Sequence, residues 1–228
     1  MEIIFILTEP AVPENIGAAA RAIKTMGFHV LRLVNPANHL ADEARWLAHG
    51  SAEILEQAQV FNSFTESIRD LDFVMATTAK QRSAKFDYYT PEEAKSILSQ
   101  KSSSVERIGI VFGREESGLT NEELAQCDLA VTIPMKISYP SVNLAQAVMI
   151  MAYEFSDSEN ISSHSSNKQS NYPLLKTKVI ELLSKLGILA DSNLHGRIME
   201  RFSLVGDTDV NLLLSIFSKL ENKLRQNR

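Results

Sequence analysis

The chain has 228 residues, 44% apolar and 22% charged, enough material for one large domain or for one domain with an appendage. Its single cysteine, Cys127, excludes an intramolecular disulfide and a cysteine-based zinc site, and its five scattered histidines match no metal motif, so no metal is expected. No apolar run approaches the ~20 residues of a membrane span and the N-terminus does not read as a signal peptide, so a cytoplasmic protein without membrane contact is expected. The net charge of −5 divides into −7 over residues 1–155 and +2 over residues 156–228. That balance argues against non-specific coating by nucleic acid and leaves room for a local basic site.

Residues Ile3 to Leu7 form a continuous apolar run closed by Thr8-Glu9-Pro10, the pattern of a buried strand. Asn15 to Lys24 is rich in helix formers, with Gly27 as the stop, and His29 to Val34 reads as a second strand. Further strands are expected at Phe73–Ala76, Ile108–Phe112 and Leu129–Ile133. Helical patterns lie between them at Ala44–Ala48, Phe64–Asp70 and Pro91–Leu98. The alternation predicts an α/β fold with a mostly parallel sheet flanked by helices. Leu144 to Phe155 predicts an apolar helix buried on most sides. Ser156 to Asn171 holds seven serines in sixteen residues and reads as a flexible linker. Beyond it, Leu175, Val179, Leu182, Leu183 and Leu186 mark one amphipathic helix, and Ile198 and Phe202 a second. A third, capped by Asp207 or Thr208, carries Val210, Leu213, Leu214, Phe217, Leu220 and Leu224. The divisions are therefore 1–155, 156–171 and a helical extension over 172–228, which is expected to dock on the main domain or on a partner.

Three junctions carry polar residues that a core does not require. In Pro13-Glu14-Asn15-Ile16-Gly17-Ala18-Ala19-Ala20-Arg21, Gly17 and Arg21 are four apart on a helix, and the small residues admit another backbone or a ligand; taken alone, it also reads as a capped helix with a solvated arginine. Phe112-Gly113-Arg114-Glu115-Glu116-Ser117-Gly118-Leu119 leaves a buried strand into a loop at the edge of a parallel sheet, where ligands bind, yet it lacks the lysine of a phosphate loop. From Ile133 to Ala147 a strand ends, two prolines follow, and Ser141 or Asn143 caps the apolar helix.

Taken together, these junctions resemble the three motifs of the SpoU/TrmH branch of the SPOUT RNA methyltransferases. Asn15, Gly17 and Arg21 match the first motif, and Phe112, Gly113, Glu115, Gly118 and Leu119 the second. Ile133, Ser141 and Asn143 match the third. Gly113-Arg114-Glu115 with Leu119-Thr120-Asn121-Glu122-Glu123 is most similar to the TrmJ/LasT subgroup.

The resemblance implies a sheet whose C-terminal part is threaded into a trefoil knot, a rare exception to unknotted folds. It implies S-adenosyl-L-methionine held by Thr77, Thr78, Ala79, Gly113, Ile133, Ser141, Val142 and Asn143. It further implies a homodimer with the active site built across the subunit interface, and methyl transfer to a ribose 2′-hydroxyl of a structured RNA. The TrmJ subgroup acts at position 32 of the tRNA anticodon loop, and that substrate is the expectation here. An rRNA ribose methyltransferase and a non-catalytic RNA-binding protein of the same fold are the alternatives. The family assigns Arg21 to the chemical step. Because a guanidinium stays protonated, the role read here is electrostatic: holding the adjacent phosphate and stabilising the developing alkoxide. Asn15 would position the ribose or the arginine, Glu115 would orient Arg21 or its loop, and Ser141 and Asn143 would fix the knot loop. Lys80, Arg82 and Lys85 are candidate RNA contacts, with Arg197, Arg201, Lys219, Lys223 and Arg225 in the tail as weaker ones. Arg32, Arg45 and Arg69 are read as surface residues. A dehydrogenase is disfavoured because Pro10 to Gly17 stands where its glycine-rich turn would be.

Overall fold

A computed structural model describes residues 1–79, 87–137, 141–157, 171–190 and 192–226. Much of the Ser-rich stretch, Lys80, Arg82 and Lys85 lie outside the described residues. The first strand, β1 (Glu2–Thr8), is buried because its continuous apolar run feeds both faces of a sheet. Ile3, Phe5 and Leu7 enter one core and Ile4 and Ile6 the other. Six strands join it: β2 (Val30–Val34), β3 (Gln59–Phe61), β4 (Phe73–Thr77), β5 (Tyr88–Tyr89), β6 (Arg107–Phe112) and β7 (Leu129–Val131). Their order is β3-β2-β1-β6-β4-β7-β5, with every pairing parallel. Strand β6 inserts between β1 and β4, so the chain reverses its winding there. In an open parallel sheet such a reversal leaves a crevice at the carboxyl ends of the strands.

One face is covered by α1 (Pro13–Thr25), α2 (Asp42–Ala48), α3 (Ala52–Glu56), α5 (Pro91–Ser99) and α7 (Leu144–Phe155). The other packs on α4 (Phe64–Ile68) and α6 (Asn121–Leu124). Close packing of α1 on α2 explains Gly17, since a Cβ there would lie 2.0 Å from the Ala44 carbonyl oxygen. The small residue thus admits another backbone, while Arg21, one turn on, is exposed. Strands β3 and β5 and helices α3 and α6 were not expected from periodicity; segments of two to five residues are too short to display one.

Two expectations are corrected. Helix α7 is not buried on most sides: Leu144, Val148, Met151, Ala152 and Phe155 face the core, while Tyr153 is 70% exposed and Ile150 is exposed beside it. Nor is Arg32 a surface residue, at 2% exposure on β2. Its guanidinium makes paired bonds to Asp70 at 2.7 and 2.8 Å and donates to the Ser67 carbonyl at 2.6 Å. An arginine on a sheet face can be buried when a carboxylate and a carbonyl take up its donors. Arg45 and Arg69 are exposed as expected.

The C-terminal helices α8 (Asn171–Lys185), α9 (Asn193–Ser203) and α10 (Asp207–Gln226) dock on the sheet domain. Tyr172 is buried between Phe73 of β4 and Phe202 of α9, with ring centroids 5.8 and 5.4 Å away. Lys176 pairs with Asp128, and the carboxylate of Asp207 accepts from the Ser103 N–H at 2.7 Å instead of capping its own helix. Lys101 lies under this junction, its ammonium over the Tyr172 and Phe73 rings and bonded to the Val205 carbonyl. Burial lowers its pKa to about 8 against the opposing pull of Asp128 and Asp207. Between that value and the ordinary 10.5, the unfolded chain holds a proton that the folded chain has lost, so stability rises with pH. Melting curves from pH 7 to 10 should show this rise in the native protein, and Lys101→Met should remove it.

Candidate active site

The loops leaving β1, β4, β6 and β7 enclose a cavity of about 470 Å³ at the crevice, within the size range of small-molecule sites. Thr77, Thr78 and Ala79 enter its wall from the end of β4, Gly113 to Gly118 from β6, and Ile133 and Met135 from the segment after β7. Ser141, Val142 and Asn143 close it at the start of α7. Residues 77–79, 113, 133 and 141–143, far apart in sequence, are thus brought together with Asn15 and Glu115. Strand β7 ends at Val131, so Ile133 sits in the following loop and not in the strand. Thr78 donates its N–H to the Val131 carbonyl at 2.9 Å, and the Thr77 hydroxyl donates to the Val111 carbonyl at 2.9 Å, which ties the wall segments together.

A chain of hydrogen bonds crosses the cavity mouth. Asn15 is no helix cap: α1 begins at Pro13, and Asn15 lies inside its first turn. Its amide nitrogen donates to Glu115 Oε1 at 3.1 Å, and its amide oxygen accepts from Asn143 Nδ2 at 2.9 Å. Asn143 Oδ1 then accepts from the Ala145 N–H at 2.9 Å, making Asn143, and not Ser141, the N-cap of α7. A carboxylate only accepts, so Glu115 forces the NH₂ of Asn15 toward itself, and each later amide is oriented in turn. The other oxygen of Glu115 accepts from the Ala11 N–H at 3.1 Å. Glu115 therefore orients the β1–α1 loop rather than Arg21, and its described partners are neutral N–H groups.

Arg114, which sequence reasoning passed over, clamps the second loop. Its guanidinium bonds Glu9 at 2.7 and 2.8 Å and Glu123 at 2.9 and 3.0 Å. Those bonds raise the arginine's pKa further, and Arg114 holds the Glu9 carboxyl below its usual range. Glu9 itself adopts a left-handed backbone (φ 47°) at the end of β1, a strained conformation of the kind found beside functional sites. A polar residue at the carboxyl end of a central strand was the signal for it. Gly113 is required by close approach, since a Cβ there would lie 2.3 Å from the backbone of Gly118 and Leu119.

Arg21 stands apart from this assembly. It is six residues beyond Asn15, which on a helix means about 9 Å along the axis and a different face. The side chain is exposed and does not line the cavity. Arg114 is the cavity's guanidinium among the described residues, and its fork is already shared by two carboxylates. With Glu115 and Glu116 also in the wall, the described lining residues carry more negative than positive charge. Among the described residues no group of three His, Cys, Asp or Glu could hold a metal ion, and no helix is long and apolar enough to cross a membrane.

Residues 2–153 match the SpoU rRNA methylase family. The chain belongs to that family. Residues 170–224 match the C-terminal domain of the tRNA/rRNA methyltransferase LasT, which places this SpoU protein in the TrmJ/LasT subgroup. It is 42% identical over 227 residues to the uncharacterized tRNA/rRNA methyltransferase LasT of Escherichia coli (strain K12), covering 98% of this chain and 99% of that one. It is 43% identical over 153 residues to the tRNA (cytidine-2′-O-)-methyltransferase TrmJ of Methanocaldococcus jannaschii, covering 65% of each. Among solved structures, TrmJ from Z. mobilis ZM4 superposes with a TM-score of 0.68 at 28% identity, covering 97% of this chain and all of that one.

Proposed function

We infer that this SpoU protein transfers a methyl group from S-adenosylmethionine to a ribose 2′-hydroxyl of tRNA, with position 32 of the anticodon loop as the specific target. The observation that carries this reading is the oriented Glu115–Asn15–Asn143 chain at the mouth of a cavity of about 470 Å³. The cavity suits the cofactor. Apolar side chains of Val12, Phe112, Ile133 and Leu144 can pack a flat base, and the excess negative charge complements a sulfonium cation. Thr77 to Ala79, Gly113, Ile133 and Ser141 to Asn143 would hold it. Bound there, it supplies an electrophilic methyl group.

The chain's own residues then have separable tasks. Asn15, fixed by Glu115, presents a rigid polar edge beside the ribose, and Asn143 locks the start of α7 against it. The 2′-hydroxyl is a weak acid whose developing oxyanion needs a cation, and among the described residues of the wall the one cation, Arg114, is already shared by Glu9 and Glu123. Arg21 meets that need from a second copy, across an interface formed by α1 and the exposed apolar side of α7. This dimer is the reason for the half-used helix. The C-terminal part of the sheet domain carries the trefoil knot of the family; residues 138–140 lie outside the described residues. Residues 1–155 are the catalytic domain and 172–228 an extension joined by a Ser-rich linker, and the protein works in the cytoplasm.

The test is incubation with labelled S-adenosylmethionine and total RNA lacking the modification. Label in the tRNA fraction supports the reading; label confined to rRNA keeps the chemistry and replaces the substrate. Cofactor binding without transfer to any RNA points to a missing substrate or partner, and failure to bind cofactor favours the non-catalytic alternative. Gly113→Ala provides a check on the cavity. The added methyl must displace the 114–118 loop, at a cost of about 1–3 kcal/mol, which reduces cofactor affinity roughly tenfold or more by calorimetry.

A further inference from the structure

The C-terminal extension meets the sheet domain close to the cavity. Strand β5 is a two-residue edge strand whose only sheet partner among the described residues is β7, with Tyr88 opposite Ala130 and Tyr89 opposite Val131. So short an edge has little hold of its own and is prone to fraying. Its carbonyl at Tyr89 nevertheless accepts the Thr132 N–H at 2.8 Å, directly beside Ile133 of the cavity wall. What steadies β5 comes from α9. The Glu200 side chain is only 4% exposed, and one of its oxygens accepts from the Asp87 N–H immediately before β5. The other accepts from Arg197 at 3.3 Å, and the neighbouring Arg201 pairs with the Asp87 carboxylate at 3.0 Å. Burial, and then the charges of Asp87 and Glu200, raise the pKa of Tyr89.

A buried carboxylate costs free energy unless its acceptors are used, and Glu200 uses both, one on a backbone outside its own helix. We propose that Glu200, supported by Arg201, is a positioning residue for the cofactor cavity: by holding Asp87 it fixes β5 on β7 and so sets the wall segment Thr132–Ile133. The extension thereby shapes the methyl-donor site in addition to any contact it makes with RNA. The proposal rests on the reading of the cavity as the S-adenosylmethionine site.

The two are separable by experiment. Amide hydrogen exchange at Thr132 needs no cofactor and reports the clamp directly. Glu200→Ala should speed exchange there about tenfold, the size of losing one charge-assisted hydrogen bond, while Glu200→Gln, which keeps an acceptor for Asp87, should restore protection. By calorimetry Glu200→Ala should weaken S-adenosylmethionine binding by a similar factor, with kcat at saturating cofactor little changed. Arg201→Glu is an exposed exchange that leaves the core intact, and should give the same gain in exchange at Thr132 and loss of cofactor affinity at about threefold. Unchanged exchange at Thr132 in Glu200→Ala and Arg201→Glu would overturn the proposal, as would a lowered melting temperature with native cofactor affinity. Cofactor that fails to bind the native protein would instead refute the reading of the cavity, and with it the link from β5 to a methyl-donor site.

Discussion

Replacing Arg21 by alanine is expected to slow methyl transfer by about 10²–10³-fold while cofactor affinity stays native. The division of effects follows from position. Arg21 is exposed on α1 and outside the cavity wall, so its removal leaves the residues at 77–79, 113, 133 and 141–143 untouched. On the proposed reading, what is lost is a preorganised cation for the developing alkoxide and its neighbouring phosphate, which Arg114, already shared by two carboxylates, does not replace. Calorimetry and single-turnover transfer measured on one preparation check both halves. A second experiment asks where the arginine comes from. Mixing Arg21→Ala with Asn143→Ala subunits should recover activity, up to about a quarter of native for random pairing, because each mixed dimer contains one intact composite site. Sites built within one chain would recover nothing.

The largest stability effect is expected at Asp70. Arg32 is buried on β2 and Asp70 takes both arms of its guanidinium, so Asp70→Ala leaves a buried charge short of its counter-ion. Removing one partner of such a pair costs about 3 kcal/mol, at the lower end for this class because the Asp70 side chain is about half exposed (48%). Urea denaturation should show this loss, against under about 1 kcal/mol for Arg45→Ala, whose pair with Glu56 is exposed. The pH dependence has a definite sign. Arg32 first, and then Arg107, hold the Asp70 carboxyl well below its ordinary 3.8. The stabilisation is therefore fully present above that value and is lost as the pH falls below it. In Asp70→Ala this part of the acid transition should disappear.

Much of this architecture is legible in the residues, for identifiable reasons. The Ile3–Leu7 run reads as a buried strand because a two-sided core needs apolar residues at every position, and both cores take their share. Asn15, Glu115 and Asn143 are marked by lying at junctions where packing demands nothing polar. Their mutual hydrogen bonds are not legible, since 100 residues separate Asn15 from Glu115 and 128 separate it from Asn143. Arg114 and Glu9 were missed for the same reason: their bonds span 105 residues, and within its own loop Arg114 looks like a solvated cation. Arg32 was misread because a charge inside an apolar run suggests a surface face, when its partners Ser67 and Asp70 lie on a different element. Glu200 hides likewise, as one polar residue on an amphipathic helix whose counterpart is a backbone N–H 113 positions earlier.

The measurement closest to the central claim is the chemical position of the transferred methyl. Transfer RNA labelled by the native protein, digested to nucleosides after alkaline hydrolysis, should return the label in alkali-resistant products carrying a 2′-O-methyl ribose. Resistance follows from the blocked hydroxyl, which can no longer attack the adjacent phosphodiester. The same digestion after reaction with Arg21→Ala should return almost none. Label recovered on the bases, or ribose label undiminished in Arg21→Ala, would contradict the account.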